Sequence, residues 1–133
     1  TRPVGTCVRA ILDTSVVVAA DIGPLDGELA ISAITLAELH FGVLVAKERV
    51  VRAERLRRLL ALQRSFDALP LDDAVAASYG HIAAAVVDAG RQPRARSMDL
   101  LIAATAHAHS ARLYTHNGDD FIGLDNLIEI VAV

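Results

Sequence analysis

Apolar positions along this chain recur in two rhythms, and the two rhythms alternate. Short apolar runs at residues 9–13, 29–32, 68–71, 112–115 and 128–133 have the length of strands. Between them lie longer stretches with helical spacing. The first begins after Thr14 or Ser15, either of which can cap a helix over residues 16–20, and residues 22–27 read as a loop rich in Gly, Pro and Asp. A helix is expected over residues 35–46. Residues 47–66 carry dense charge, yet Val50, Leu56, Leu59, Leu60 and Leu62 recur at helical spacing, which predicts an amphipathic helix with a basic exposed side. A further helix starts at Asp72 or Asp73 and stops at Gly90. Residues 91–96 read as a basic loop around Pro93, Ser97 as the N-cap of a last helix reaching His109, and residues 116–120 as a polar turn. Strands alternating with helices predict an α/β fold, with a mostly parallel sheet covered on both faces. In such sheets ligands gather at the carboxyl ends of the strands, where Asp13 and the turn after Thr115 both fall.

The 133 residues fit one domain, residues 1–133, without linker or repeat. Over half of the chain is hydrophobic (53%) but only 3 Phe and 2 Tyr are present, so Ala, Val, Leu and Ile must build the core. No apolar run approaches the ~18 residues of a membrane-spanning helix, so no membrane role is expected. Residues 1–7 lack the charged start and long apolar stretch of a signal peptide, and are expected to be a flexible or vector-derived N-terminus. The single cysteine, Cys7, has no internal partner, which suits a reducing, cytoplasmic setting. The net charge of −3 argues against a polyanionic partner until its distribution is considered. Arginines cluster at Arg49, Arg52, Arg55, Arg57, Arg58 and Arg64, and again at Arg91, Arg94 and Arg96. Their planar forks suit phosphate, although the first cluster also has Glu48 and Glu54 at helical spacing as partners.

Three acids stand in apolar company. Asp13 sits between Ile11-Leu12 and Val16-Val17-Val18; it either caps the helix that follows or needs a partner that compensates for burial. Glu38 has Ile34 and Phe41 at helical spacing, with Ala37 and Leu39 alongside. Asp99 heads an apolar stripe of Ile102, Ala103 and Ala106, where the helix dipole also favours a carboxylate. Past Thr115, Asn117, Asp119 and Asp120 form a polar turn whose acids either cap it or serve a metal or a water. Carboxylates brought together from separate elements are what a hard divalent cation requires. Mg²⁺ or Mn²⁺ held this way can activate water against a phosphodiester. Nucleotide-binding glycine loops and the H-E-x-x-H zinc motif are absent. His107 and His109 diverge on their helix, and His40, His81 and His116 are isolated.

Four segments in order resemble the PIN-domain family, and specifically the VapC-type toxins of bacterial toxin–antitoxin pairs. They are Ile11-Leu12-Asp13-Thr14-Ser15, the stretch from Ile31 to Gly42 around Glu38, Asp99-Leu100-Leu101-Ile102-Ala103-Ala104, and residues 115–121. The resemblance implies a PIN-like three-layer sandwich and divalent-metal-dependent endoribonuclease activity on structured RNA, tRNA or rRNA. It also implies a homodimer silenced by a cognate antitoxin protein. Asp13, Glu38 and Asp99 match the family's acidic site, with Thr14 or Ser15 arranging the first acid. Asn117 stands where some members have Asp, and Asp119 or Asp120 can reach the same metal, so Asn117 and Asp120 are both retained as site residues. In this scheme Asp13 and Asp99 hold Mg²⁺ or Mn²⁺, while Glu38 completes the shell or takes a proton from the attacking water. The rival readings are a DNA-directed nuclease using the same acids and a catalytically silent PIN-like regulatory module.

Overall fold

The computed structural model describes residues 9–19 and 23–133. The expectations for residues 1–7 and for Cys7 lie outside the described residues. The elements are β1 (Arg9–Leu12), α1 (Thr14–Val17), β2 (Glu28–Ser32), α2 (Ala33–Val45), α3 (Arg49–Ser65), β3 (Ala68–Leu69), α4 (Asp73–Asp88), α5 (Ser97–Ala108), β4 (Arg112–Thr115) and β5 (Ile130–Ala132). Short 3₁₀ turns, Pro93–Arg96 and Gly118–Phe121, follow α4 and β4. The strands form one five-stranded sheet in the order β3-β2-β1-β4-β5, with every pairing parallel.

The chain steps outward from β1 to β2 and β3, then returns to β4 on the other side of β1. The strand order therefore reverses between β1 and β4, the position at which open parallel sheets form a crevice. Side chains alternate across the sheet as a period of two demands. Ala10, Leu12 and Tyr114 join Val16 and Ile31 on one face, while Ile11 and Leu113 join the larger core against α4 and α5 on the other. With helices on both faces, this is the expected α/β sandwich.

Gly90 ends α4 as expected. It takes φ +79°, and the Arg91 N–H donates to the Val86 carbonyl while the Gly90 N–H donates to that of Val87. Two orphan carbonyls of the last turn are thereby satisfied.

Four local expectations are corrected. Ser97 is the first residue of α5, because the chain arrives in a 3₁₀ turn that begins at Pro93; its Oγ donates back to the Arg94 carbonyl at 3.1 Å. Helix α1 is a single turn, and its Thr14 and Ser15 hydroxyls bond to acids. On α3 only Leu59 is buried, whereas Val50, Leu56 and Leu60 remain exposed. The apolar stripe of that helix is thus covered only in part, at Leu59 and, half-buried, at Leu62. The last strand covers three residues, because Ile128 packs in the core before β5 begins.

Candidate active site

Asp13 follows β1 directly, and its backbone N–H donates to the Tyr114 carbonyl at 2.9 Å, which locks it beside the end of β4. It occupies the N-cap position of α1 but makes no side-chain cap bond. Its carboxylate is only 3% exposed, so it needs partners to offset desolvation. Ser15 Oγ and Thr115 Oγ1 each donate to Oδ2 at 2.8 Å. No described residue donates to Oδ1. One carboxylate oxygen is thus held and the other left for a ligand.

The two hydroxyls are themselves positioned. Ser15 Oγ accepts the His116 N–H at 3.1 Å, and Thr115 Oγ1 accepts the Asn117 N–H at 2.9 Å. The turn after β4 therefore contributes through its backbone to the setting of Asp13.

Glu38 lies midway along α2. Its Oε1 accepts from Thr14 Oγ1 at 2.7 Å, and that hydroxyl is also 3.0 Å from the buried Thr35 Oγ1. The start of α2 is fixed by Ser32, whose Oγ accepts the Ile34 N–H at 3.1 Å and pairs with Thr105 Oγ1 of α5 at 3.2 Å. This link joins the helix that carries Glu38 to the helix that carries Asp99.

Asp99, in the first turn of α5, is half-buried. Its carboxyl is pushed up from the ordinary value to about 6, first by burial and then by the negative charges of Asp13, Asp120 and Glu38. Only Arg96 opposes this rise. The same four acids that the sequence singles out thus share one field. Asp120 is bound by Arg96 in an ion pair. Asp119 is exposed, and Asn117 is exposed and engaged through its backbone.

Among the described residues, no three His, Cys, Asp or Glu side chains form a ready-made cage for an ion. The donor set still fits a hard cation that keeps several waters and needs only one or two carboxylates from the protein. The free Oδ1 of Asp13 and the raised carboxyl of Asp99 are the two donors with the most to gain, since like charges held together either take a proton or recruit a cation. Two of the histidines are engaged elsewhere: His107 Nδ1 is 2.8 Å from Ser78 Oγ, and His116 Nδ1 is 2.6 Å from the Val133 carbonyl.

Sequence reasoning misses three participants. Thr115 and Thr35 look like ordinary β-branched residues, and only their burial marks them. Arg96 reads as one more surface cation. Its signal is the offset of three residues from Asp99, which places it a turn away in any helical continuation.

The chain matches the PIN domain family over residues 10–127. It is 37% identical to Ribonuclease VapC5 of Mycobacterium tuberculosis, covering 96% of this chain and 98% of that one. Among solved structures, it is similar to the toxin–antitoxin structure VapBC-5 from Mycobacterium tuberculosis, with a TM-score of 0.83 and 35% identity over 95% of this chain and 99% of the matched chain. It is also similar to FitAcB from Neisseria gonorrhoeae, with a TM-score of 0.73 and 27% identity over 91% of this chain and 95% of that one.

Proposed function

Because the chain belongs to the PIN-domain family, among its VapC-type members, we propose that it is a Mg²⁺- or Mn²⁺-dependent endoribonuclease toxin. The observation that carries this reading is the convergence of Asp13, Glu38 and Asp120 on Asp99 at the switch point of the sheet, where burial first and then these charges lift that carboxyl to about 6.

Asp13 and Asp99 are the residues that would hold the ion. When bound, it supplies a Lewis acid that activates water and stabilises the oxygens of a phosphodiester during in-line displacement. Ser15 and Thr115 orient Asp13 so that Oδ1 faces the ligand. Glu38, held through Oε1 by Thr14, keeps Oε2 available to accept a proton from the attacking water or to complete the shell. Asp120 is the better fourth acid because its charge reaches Asp99; Asn117 contributes its backbone N–H, and Asp119 stays at the surface.

The family resemblance supports structured RNA, tRNA or rRNA, as substrate. An antitoxin partner is supported by the relatives solved as toxin–antitoxin complexes and by an uncovered apolar strip on this chain. Phe41, Leu44 and Val45 on α2 and Val50 on α3 are all exposed. A homodimer would cover further surface of this kind. No helix among the described residues is long and apolar enough to cross a membrane, and a cytoplasmic setting suits an RNA substrate.

The test is sequencing of new RNA 5′ ends after induction in cells, wild type against Asp99→Asn. Cuts that vanish with Asp99→Asn support the reading, and cuts indifferent to Asp99 defeat it. Calorimetric titration with Mn²⁺ tests the ligands: undiminished binding by an Asp13→Asn, Asp99→Asn double variant refutes their assignment.

A further inference from the structure

The arginines that look alike in sequence do different things in the fold. Arg52 Nη2 donates to the Ala46 carbonyl at 2.8 Å and Arg55 Nη1 to that of Gly42 at 2.6 Å, so both tie α3 to the C-terminal end of α2. Arg91 Nη1 donates to the Asp119 carbonyl at 3.3 Å, and Arg96 is held by Asp120. Arg58 and Arg94, by contrast, are exposed and make no ion pair or side-chain hydrogen bond with any described residue.

Each of these two arginines lines a cavity that has Glu38 in its wall. One, of about 350 Å³, lies between Thr14, Glu38 and Arg58, with Arg55, bound to the Gly42 carbonyl, also in its wall. The other, of about 300 Å³, lies between Glu38, Asp99 and Arg94, with Arg96, paired with Asp120, also in its wall. Glu38 lines both, so the cavities flank the same side chain, with one unengaged arginine in each. A cluster of carboxylates repels a polyanion, and a strand can cross it only if cations anchor the phosphates on either side. An unpaired guanidinium is suited to that task, because its planar fork matches two phosphate oxygens.

We propose that Arg58 and Arg94 are the phosphate-positioning residues of a single RNA path. The strand runs from one cavity to the other over Glu38, with one arginine on each side of the position cut. Arg52, Arg55 and Arg96 are occupied within the protein and take no part in this anchoring. The inference rests on the ribonuclease reading above and adds to it the direction of the substrate across the site.

The test uses a short fluorescein-labelled single-stranded RNA of mixed sequence, bound by the full chain carrying Asp99→Asn so that it is not cut. Anisotropy titrations between about 50 and 200 mM salt compare Arg58→Gln, Arg94→Gln, their combination, and Arg57→Gln, an exposed arginine on α3 that lines neither cavity. Each of the first two is expected to weaken binding about five- to tenfold and to flatten the salt dependence by roughly one phosphate contact, with the effects multiplying in the pair. Arg57→Gln is expected to change affinity by no more than about twofold. In the otherwise wild-type chain with Mn²⁺, Arg58→Gln and Arg94→Gln should raise KM and leave kcat unchanged. Both sites are exposed, and unchanged melting curves verify the fold. Equal losses from Arg57→Gln and Arg58→Gln, or no loss from Arg58→Gln or Arg94→Gln, overturn the path. So does undiminished RNA binding together with an Arg58-dependent affinity for poly-glutamate, which would assign these arginines to an acidic protein partner. If RNA is bound and cut but ignores both arginines, only the path falls; if the chain neither binds nor cuts RNA, the ribonuclease reading falls with it.

Discussion

Asp13 and Thr115 are 102 positions apart in sequence, yet their side chains meet at 2.8 Å because β1 and β4 are neighbours. That bond, with its counterpart from Ser15, is what distinguishes Asp13 from a capping residue. Thr115→Val keeps the shape and removes the hydroxyl, leaving a buried carboxylate short of one donor. The expected outcome is a loss of about 10- to 100-fold in Mn²⁺ affinity, the usual cost of removing a group that orients a metal ligand, read by calorimetry. The three principal acids are legible in the sequence because a carboxylate among Ile, Leu and Val is conspicuous. Thr115 and Thr35 are not, since a buried Thr and a surface Thr look the same until the strand order is known. Nor could composition distinguish Asp120 from Asp119. Adjacent on one turn, they are told apart by the fold, in which Asp120 is half-buried against Arg96 and Asp119 is exposed.

At the scale of elements, the helices and strands follow the apolar rhythm closely, and the departures have physical reasons. Pro93 starts a 3₁₀ turn ahead of α5, so the chain enters that helix already coiled and the expected cap at Ser97 is not needed. Helix α3 has a sound helical rhythm, but rhythm alone does not reveal that only Leu59 of its apolar stripe is fully covered while Val50, Leu56 and Leu60 stay exposed. Ser32 is the cap that matters most, since it both starts α2 and ties it to Thr105. Ser32→Ala is expected to lower stability by about 1–2 kcal/mol in chemical denaturation. It should also reduce turnover more than Mn²⁺ affinity, because Glu38 would lose its register while Asp13 and Asp99 keep theirs. The arginines of α3 divide in the same manner. Arg55→Gln is expected to reduce stability by about 1 kcal/mol through the lost bond to the Gly42 carbonyl, with RNA affinity nearly unchanged.

Across the whole molecule, a parallel sheet whose strand order reverses between β1 and β4 brings four acids from four elements to one crevice, and the fold bears the electrostatic strain of doing so. Asp99 expresses that strain together with its burial, the larger cause, with its carboxyl raised from 3.8 to about 6. A carboxyl whose folded-state value lies above its unfolded one binds its proton more tightly when folded. Its contribution to stability is therefore lost as pH rises through the window from 3.8 to about 6, the reverse of an ordinary salt-bridged acid. Asn at this position is neutral throughout. Metal-free Asp99→Asn should then melt close to wild type near pH 4 and above it at pH 7, with the gap opening across that window. Asp99 is partly solvated, so the margin is about 1 kcal/mol, or roughly 3–5 °C in Tm, rather than the full value of the shift. Adding Mg²⁺ or Mn²⁺ at pH 7 should stabilise wild type and not the variant, closing or inverting the gap, because a bound cation relieves in the wild type the repulsion that the substitution removes. Thermal melts of the two chains at both pH values, with and without metal, measure this directly. A wild type that is the more stable protein at pH 7 without metal would mean that neither burial nor the neighbouring acids destabilise the Asp99 carboxylate.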